Sequence, residues 1–335
     1  MRRLFLLAPL LALLAAPPPA LAADKNTRPA KASKEERNTA PPAPPVTVVQ
    51  NYTPRPAMWK LADADTTIYL FGTFHLLPPG LRWRTPTFDA ALASAQELVV
   101  ETSDADSEEI EEEAAAPMLA MMKDRPATSS RLSQPNVAKW RMLASGADMP
   151  YGVFDQMPVL FAMMSAGLSF AEMQGSDRDT GVETILEAEF AKAGKPILSI
   201  EDPVTVIGGL LAIDEAPLIA QLDKDLTAWN GETVEGLFAW DADKGTQAEP
   251  LADEHAWAKG QSTPVFTAED LAEPGARAIH DALLTDRNRA WVGWLSDRLA
   301  SPGTVMVAVG AGHFDGETSV IAELARRNLT AERIQ

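Results

Sequence analysis

The chain has 335 residues, with 47 acidic against 29 basic side chains, a formal charge of −18 and no cysteine. That balance argues against nucleic acid and anionic membrane surfaces as partners. The lack of cysteine excludes a disulfide scaffold, thiol catalysis and a sulfur-linked lipid anchor.

Met1-Arg2-Arg3, an apolar stretch from Leu4 to Ala16, and Ala20-Leu21-Ala22 before Ala23 read as a signal peptide over residues 1–22. The apolar stretch is shorter than the roughly 20 residues that span a bilayer. The expected destination is the periplasm of a Gram-negative bacterium or the medium, reached through the Sec route, with no membrane anchor left after cleavage. Losing the leader, which holds two arginines and no acid, takes the charge to about −20. Residues 23–56 are rich in Lys, Ala and Pro and end in Pro41-Pro42-Ala43-Pro44-Pro45, which predicts a disordered linker. The remainder, 57–335, suits one large domain.

Within it, Trp59-Lys60-Leu61, a turn at Asp63-Ala64-Asp65 and Thr66 to Phe71 predict a β-hairpin. Thr85-Pro86 opens a helix reaching Gln96, since threonine caps well and proline suits the first turn. Glu97 to Glu101 reads as a short buried strand ending in a carboxylate, which completes a strand–helix–strand rhythm. Residues 105–175, acidic at first and then rich in Met, Ala and Pro, predict several short helices forming a cap or insertion. A helix over 179–192 precedes the strand Ile197 to Ile200, which again ends in a carboxylate, Glu201. Residues 204–260 read as helical, 277–300 as one long helix, 304–309 as the last strand and 316–328 as a closing helix. The expected class is α/β: a mostly parallel or mixed sheet flanked by helices.

Two places stand out. Gly72-Thr73-Phe74-His75 follows the apolar run Ile68 to Phe71, and Gly310-Ala311-Gly312-His313 follows Val305 to Val309. Each delivers an imidazole just past a strand's carboxyl end, where ligands gather in open α/β sheets. The chain has only four histidines, so two in this context point to a site. Glu101 and Glu201 fall at comparable strand ends. Two imidazoles and a carboxylate can bind a divalent transition metal and leave positions open; the competing reading is that each histidine caps a strand by hydrogen bonding.

On helix 277–300, Leu283, Leu284, Trp291, Trp294 and Leu295 form an apolar stripe that also carries Arg287, with Asn288 beside it. A buried guanidinium needs pairing. Arg287 holds a ligating carboxylate, stabilises an oxyanion, or forms a structural ion pair with an acid such as Glu183. His255, in a polar stretch, reads as a surface residue, and His280 lacks a strand context. Met118, Met121, Met122, Met163 and Met164 read as adaptable core, and Asp104, Asp106 and the Glu108 to Glu113 run as a solvated face. There is no Gly-x-Ser-x-Gly elbow, His-Glu-x-x-His helix or Walker-type glycine loop.

The stretches Trp59 to Leu61, Thr67 to Pro78, Glu97 to Glu101, Gly181-Val182-Glu183, Ser199 to Glu201, Leu284 to Trp291 and Val309 to His313 together resemble the TraB/PrgY/GumN family. The likeness is to its bacterial GumN-like secreted branch, related to the animal Tiki proteins, and spans about residues 57–328. Tiki proteins are regarded as metal-dependent proteases with two Gly-x-x-His motifs and a key glutamate. The resemblance implies His75 and His313 as metal ligands, Glu101 as the key glutamate, and Arg287-Asn288 as a further polar motif. Family members often carry Asp where Glu183 stands and Glu where Asp286 stands.

Three functions follow as expectations. The first is a metallohydrolase acting on a peptide or protein, with Mn²⁺, Co²⁺ or Zn²⁺ held by His75, His313 and Glu101. In it, Glu201 or Glu183 takes the proton and Arg287 stabilises the oxyanion. The second is a non-catalytic binding protein for a peptide, pheromone or polysaccharide-assembly partner. The third, a metal carrier or haem-associated protein, has no dedicated motif behind it. Oligomeric state is open.

Overall fold

The computed structural model describes residues 47–103, 122–123, 125–147, 149–230, 240–241, 246–247, 251–262 and 264–335. The leader, most of the expected linker, and residues 104–121 (with Asp104, Asp106, Glu108 to Glu113, Met118 and Met121) lie outside them.

Eight strands occur among the described residues: β1 Met58–Ala62, β2 Thr66–Thr73, β3 Glu97–Val100, β4 Ile197–Ser199, β5 Trp240–Asp241, β6 Thr246–Gln247, β7 Gly303–Gly310 and β8 Ala331–Arg333. Six form one sheet in the order β4-β3-β7-β2-β1-β8, and β5-β6 is a separate ribbon. The pairs β4–β3, β3–β7 and β7–β2 are parallel, whereas β1 pairs antiparallel with β2 and β8. The class is α/β with a mixed, mostly parallel sheet. The last long strand inserts between β2 and β3, so the strand–helix–strand rhythm does not make those two neighbours. β8 lies beyond the expected closing helix, where the sequence pattern predicts no strand.

Helices, in chain order, are α1 Pro86–Ser94, α2 Gln134–Gly146, α3 Tyr151–Gln156, α4 Val159–Met173, α5 Val182–Ala193, α6 Pro203–Leu211, α7 Glu215–Ala228, α8 Ala252–Ala258, α9 Pro274–His280, α10 Asp286–Leu299 and α11 Val320–Arg326. Their ends follow local chemistry. The Thr85 hydroxyl accepts from the Phe88 N–H at 3.1 Å, with Pro86 next in line. Gly194 ends α5 at φ +65°, a left-handed conformation in which its missing Cβ avoids strain. Among the described residues no single helix is long and apolar enough to cross a membrane.

Alternation along the strands sends side chains into two cores. Ile68, Leu70, Val99, Val305, Val307 and Val309 pack with Trp291, Val292, Leu295, Val320 and Leu324 of α10 and α11. Phe71, Leu98, Val100, Met306 and Ala308 meet the remaining helices on the other face. Burial on both faces explains why these strands read as continuous apolar runs. Helices α2, α3 and α4, from the expected cap, share that second core through Trp140, Phe154, Phe161, Met163 and Met164. The last residues of the expected linker are tied down: Arg55 N–H donates to Ala258 O at 2.7 Å, and Tyr52 O–H meets His255 Nδ1 at 2.6 Å.

The long helix expected over 277–300 is interrupted by a π turn at Asp281–Thr285. Ile279 before it and Leu283 and Leu284 within it belong to one core; after it, Trp291, Val292 and Leu295 belong to the other. One residue is about 100° of helix, so an inserted residue swings the apolar stripe from one core to the next. The single stripe in the sequence is two stripes joined by that turn.

Candidate functional site

The two Gly-x-x-His segments leave neighbouring parallel strands at the same rim, since Thr73 of β2 pairs with Gly310 of β7. Their backbones nearly touch: a Cβ on Gly72 would lie 3.0 Å from Ala311 Cα. His313 is fully buried and His75 nearly so, its side chain 10 % exposed.

The His75 loop is pinned by the approach to α5. Val182 N–H donates to Phe74 O at 2.9 Å, Leu77 and Asp177 exchange backbone bonds, and the Thr180 hydroxyl donates to Leu77 O at 2.5 Å. A Cβ on Gly181 would collide with the His75 carbonyl, coming within 2.8 Å of its carbon. Gly181→Ala is therefore expected to cost at least the 1–3 kcal/mol of an overpacked core, about one residue's worth, and to displace His75. A urea titration with a midpoint equal to wild type would refute this.

That docking places Glu183, in the first turn of α5, against His75. Its Oε1 lies 3.0 Å from His75 Nδ1 and accepts from the Thr73 hydroxyl, while its buried Oε2 has no partner. Burial would lower the His75 pKa, but the Glu183 carboxylate outweighs it and raises the group above its ordinary value.

Glu101 follows β3 and lies between His313 and Arg287. Its Oε1 accepts from Gly310 N–H at 2.7 Å and stands 3.7 Å from His313 Nε2; its Oε2 pairs with Arg287. Burial alone would raise its pKa, but Arg287, then His313, His75 and the Gly310 amide, hold it at about 2. Arg287 also donates through Nε and Nη2 to Glu201 at 2.9 and 2.6 Å, and through Nη1 to Leu283 O in the π turn at 3.0 Å. Despite burial, the two carboxylates keep the guanidinium charged, its pKa above its ordinary value. Glu201 has a further donor in the Trp291 indole, at 2.8 Å. Its pKa is raised by burial, against the pull of Arg287.

His313 is held differently. Its Nδ1 lies 2.6 Å from Asn288 Oδ1, and the Asn288 amide donates to Thr318 O at 2.8 Å. Trp291 covers its ring at a centroid distance of 4.1 Å. Burial, with Arg287 nearby, takes its pKa down to about 3, so the ring is neutral.

These contacts revise several expectations. Arg287 does not pair with Glu183; it bridges Glu101 and Glu201 from another element. Its Nε, Nη1 and Nη2 donate to two carboxylates and a carbonyl, and in this way it holds Glu101 in place. Both oxygens of Glu201 are likewise hydrogen-bonded, to Arg287 and to Trp291. Asp286 is exposed and pairs with Arg289 at 3.0 Å, away from the site. His255 is half-buried against Tyr52 rather than free at the surface. The contacts of Thr73, Trp291 and Thr318 with the site are not written in the sequence pattern. Trp291 had a signal, since it sits one turn after Arg287 on the same stripe; Thr318 acts through its backbone and has none.

The residues that could hold a divalent transition metal are the two imidazoles, each with one nitrogen left open. Histidines that bind metals present one nitrogen and give the other N–H to a carboxylate or carbonyl, which is how Glu183 serves His75 and Asn288 serves His313. In each, Nε2 is buried without a hydrogen-bond partner. Among the described residues no group of three His, Cys, Asp or Glu side chains is arranged to hold an ion; Glu101 is engaged by Gly310 and Arg287.

The sequence model of the TraB/PrgY/gumN family matches residues 57–333. The chain belongs to the TraB/PrgY/gumN family. The matched span contains β1 to β8 and every side chain of the site. No curated protein and no solved structure matches the chain.

Proposed function

We propose that this TraB/PrgY/gumN-family chain is a periplasmic or secreted metal-dependent hydrolase acting on a peptide or protein. The observation that carries it is the pair of buried, partnerless Nε2 atoms on His75 and His313, each ring anchored through its other nitrogen. Those imidazoles would hold Mn²⁺, Co²⁺ or Zn²⁺ beside the Glu101 carboxylate. Such an ion lowers the pKa of a bound water to about 7 and polarises a carbonyl. Glu183 keeps one oxygen free and is the group positioned to take a proton. Arg287 fixes Glu101, and Trp291 fixes Glu201 beside it. The leader-like segment 1–22 supports the compartment.

The test is metal analysis of the chain from residue 23, dialysed against chelator and reloaded, followed by peptide-library cleavage with Mn²⁺ and Co²⁺. Wild type is expected to retain one ion per chain, and His75→Ala and His313→Ala to retain none. Glu183→Gln should keep the ion and lose about 10²–10⁴-fold in turnover. A wild type without stoichiometric metal removes the proposal, as does ligand binding that survives both chelation and the histidine substitutions.

A further inference from the structure

We infer that Asn288 is a positioning residue which, together with the backbone carbonyl of Thr318, fixes neutral His313 as the Nδ1–H tautomer and so leaves its Nε2 lone pair for the site. The argument needs only donor and acceptor rules. A backbone carbonyl accepts and cannot donate, so the group facing Thr318 O at 2.8 Å must be the amide nitrogen of Asn288. That leaves Oδ1 as the end toward His313. An amide oxygen only accepts, so the imidazole nitrogen 2.6 Å away carries the hydrogen. Turning the amide over would set its oxygen against the Thr318 oxygen. The tautomer is therefore dictated by a main-chain atom through one side chain.

No water competes for these bonds, because Asn288 is 1 % and His313 0 % exposed. Trp291 lies over the imidazole and Arg287 lies over the Trp291 ring, at 5.0 Å, so the ring plane is held as well as its proton. Asn288 follows Arg287 on α10; one helical turn therefore anchors both Glu101 and His313. The contrast with His75 is informative. There the anchoring group is a carboxylate, which also draws the ring toward its charged form. An amide orders His313 without adding negative charge next to Glu101 and Glu201.

The affinity part of this inference rests on the metal reading; the tautomer part does not. ¹⁵N NMR of the metal-free mature chain with labelled histidine, His313 being assigned through His313→Gln, reads the proton directly. Wild type is expected to show Nδ1 protonated and Nε2 bare. Asn288→Leu should show both tautomers and lose 10–100-fold in zinc affinity, the usual cost of removing such a partner. A wild-type His313 protonated at Nε2 overturns the inference, as does an Asn288→Leu chain whose His313 stays wholly Nδ1–H. If Asn288→Leu fails to fold, the wild-type spectrum decides. A wild type with the Nδ1–H tautomer that takes up no zinc upholds the positioning role and removes the metal reading.

Discussion

Arg287→Met is expected to lower the free energy of unfolding by about 3–5 kcal/mol, the cost of stripping one partner from a buried ion pair. Methionine keeps most of the stem's volume, so little of the loss would come from a cavity. What remains is Glu101, 3 % exposed, and Glu201, both desolvated and without their shared cation. Urea unfolding measures the effect as a lower midpoint with an unchanged m-value. Adding Glu101→Gln and Glu201→Gln should restore a large part of the loss, because the penalty belongs to uncompensated charge rather than to missing packing. A single substitution costing under about 1 kcal/mol would show that the cluster does not carry buried charge.

Acidification should destabilise the protein through His313 by on the order of 5 kcal/mol between pH 6.5 and 3. The folded pKa of about 3 lies below the ordinary 6.5. In that window the unfolded chain binds the proton and the folded chain does not. The contribution is thus complete above pH 6.5 and is lost as pH falls toward 3. Glu101 acts in the same sense, its contribution lost as pH falls from 4.5 toward about 2. His75 and Glu201, both raised, have the opposite sign: their contributions are present at low pH and lost as pH rises through their folded values. Unfolding measured from pH 7 to 3 should show a steep limb in wild type that flattens in His313→Gln. Equal slopes in the two chains would refute the assignment.

The parts of the site legible in the sequence were those written in local patterns. An apolar run, a glycine and a histidine three residues on placed His75 and His313 at strand ends, and the same logic found Glu101 and Glu201. The partners were not legible, because pairing is a property of three-dimensional neighbours. Arg287 and Glu183 looked equally available to each other, yet α10 packs on one face of the sheet while α5 packs on the other. The π turn escaped notice because its inserted residue leaves hydrophobic spacing that a straight helix mimics. β8 escaped because it is three residues long, mostly exposed and paired in the sheet with β1 alone. Position on the rim could be read; which oxygen is left free could not.

The adjacency of β2 and β7 has a consequence for how the molecule comes into being. These two strands are drawn from nearly opposite ends of the domain, so the loop they close is among the longest the chain can form. Closing it costs entropy that only the completed sheet repays. A chain synthesised from its amino end holds His75 early but acquires His313 only after β1 to β7 and α1 to α10 have been made. No amino-terminal fragment can therefore own the paired imidazoles. Whatever the centre does, it begins only after His313 has joined His75 at the rim.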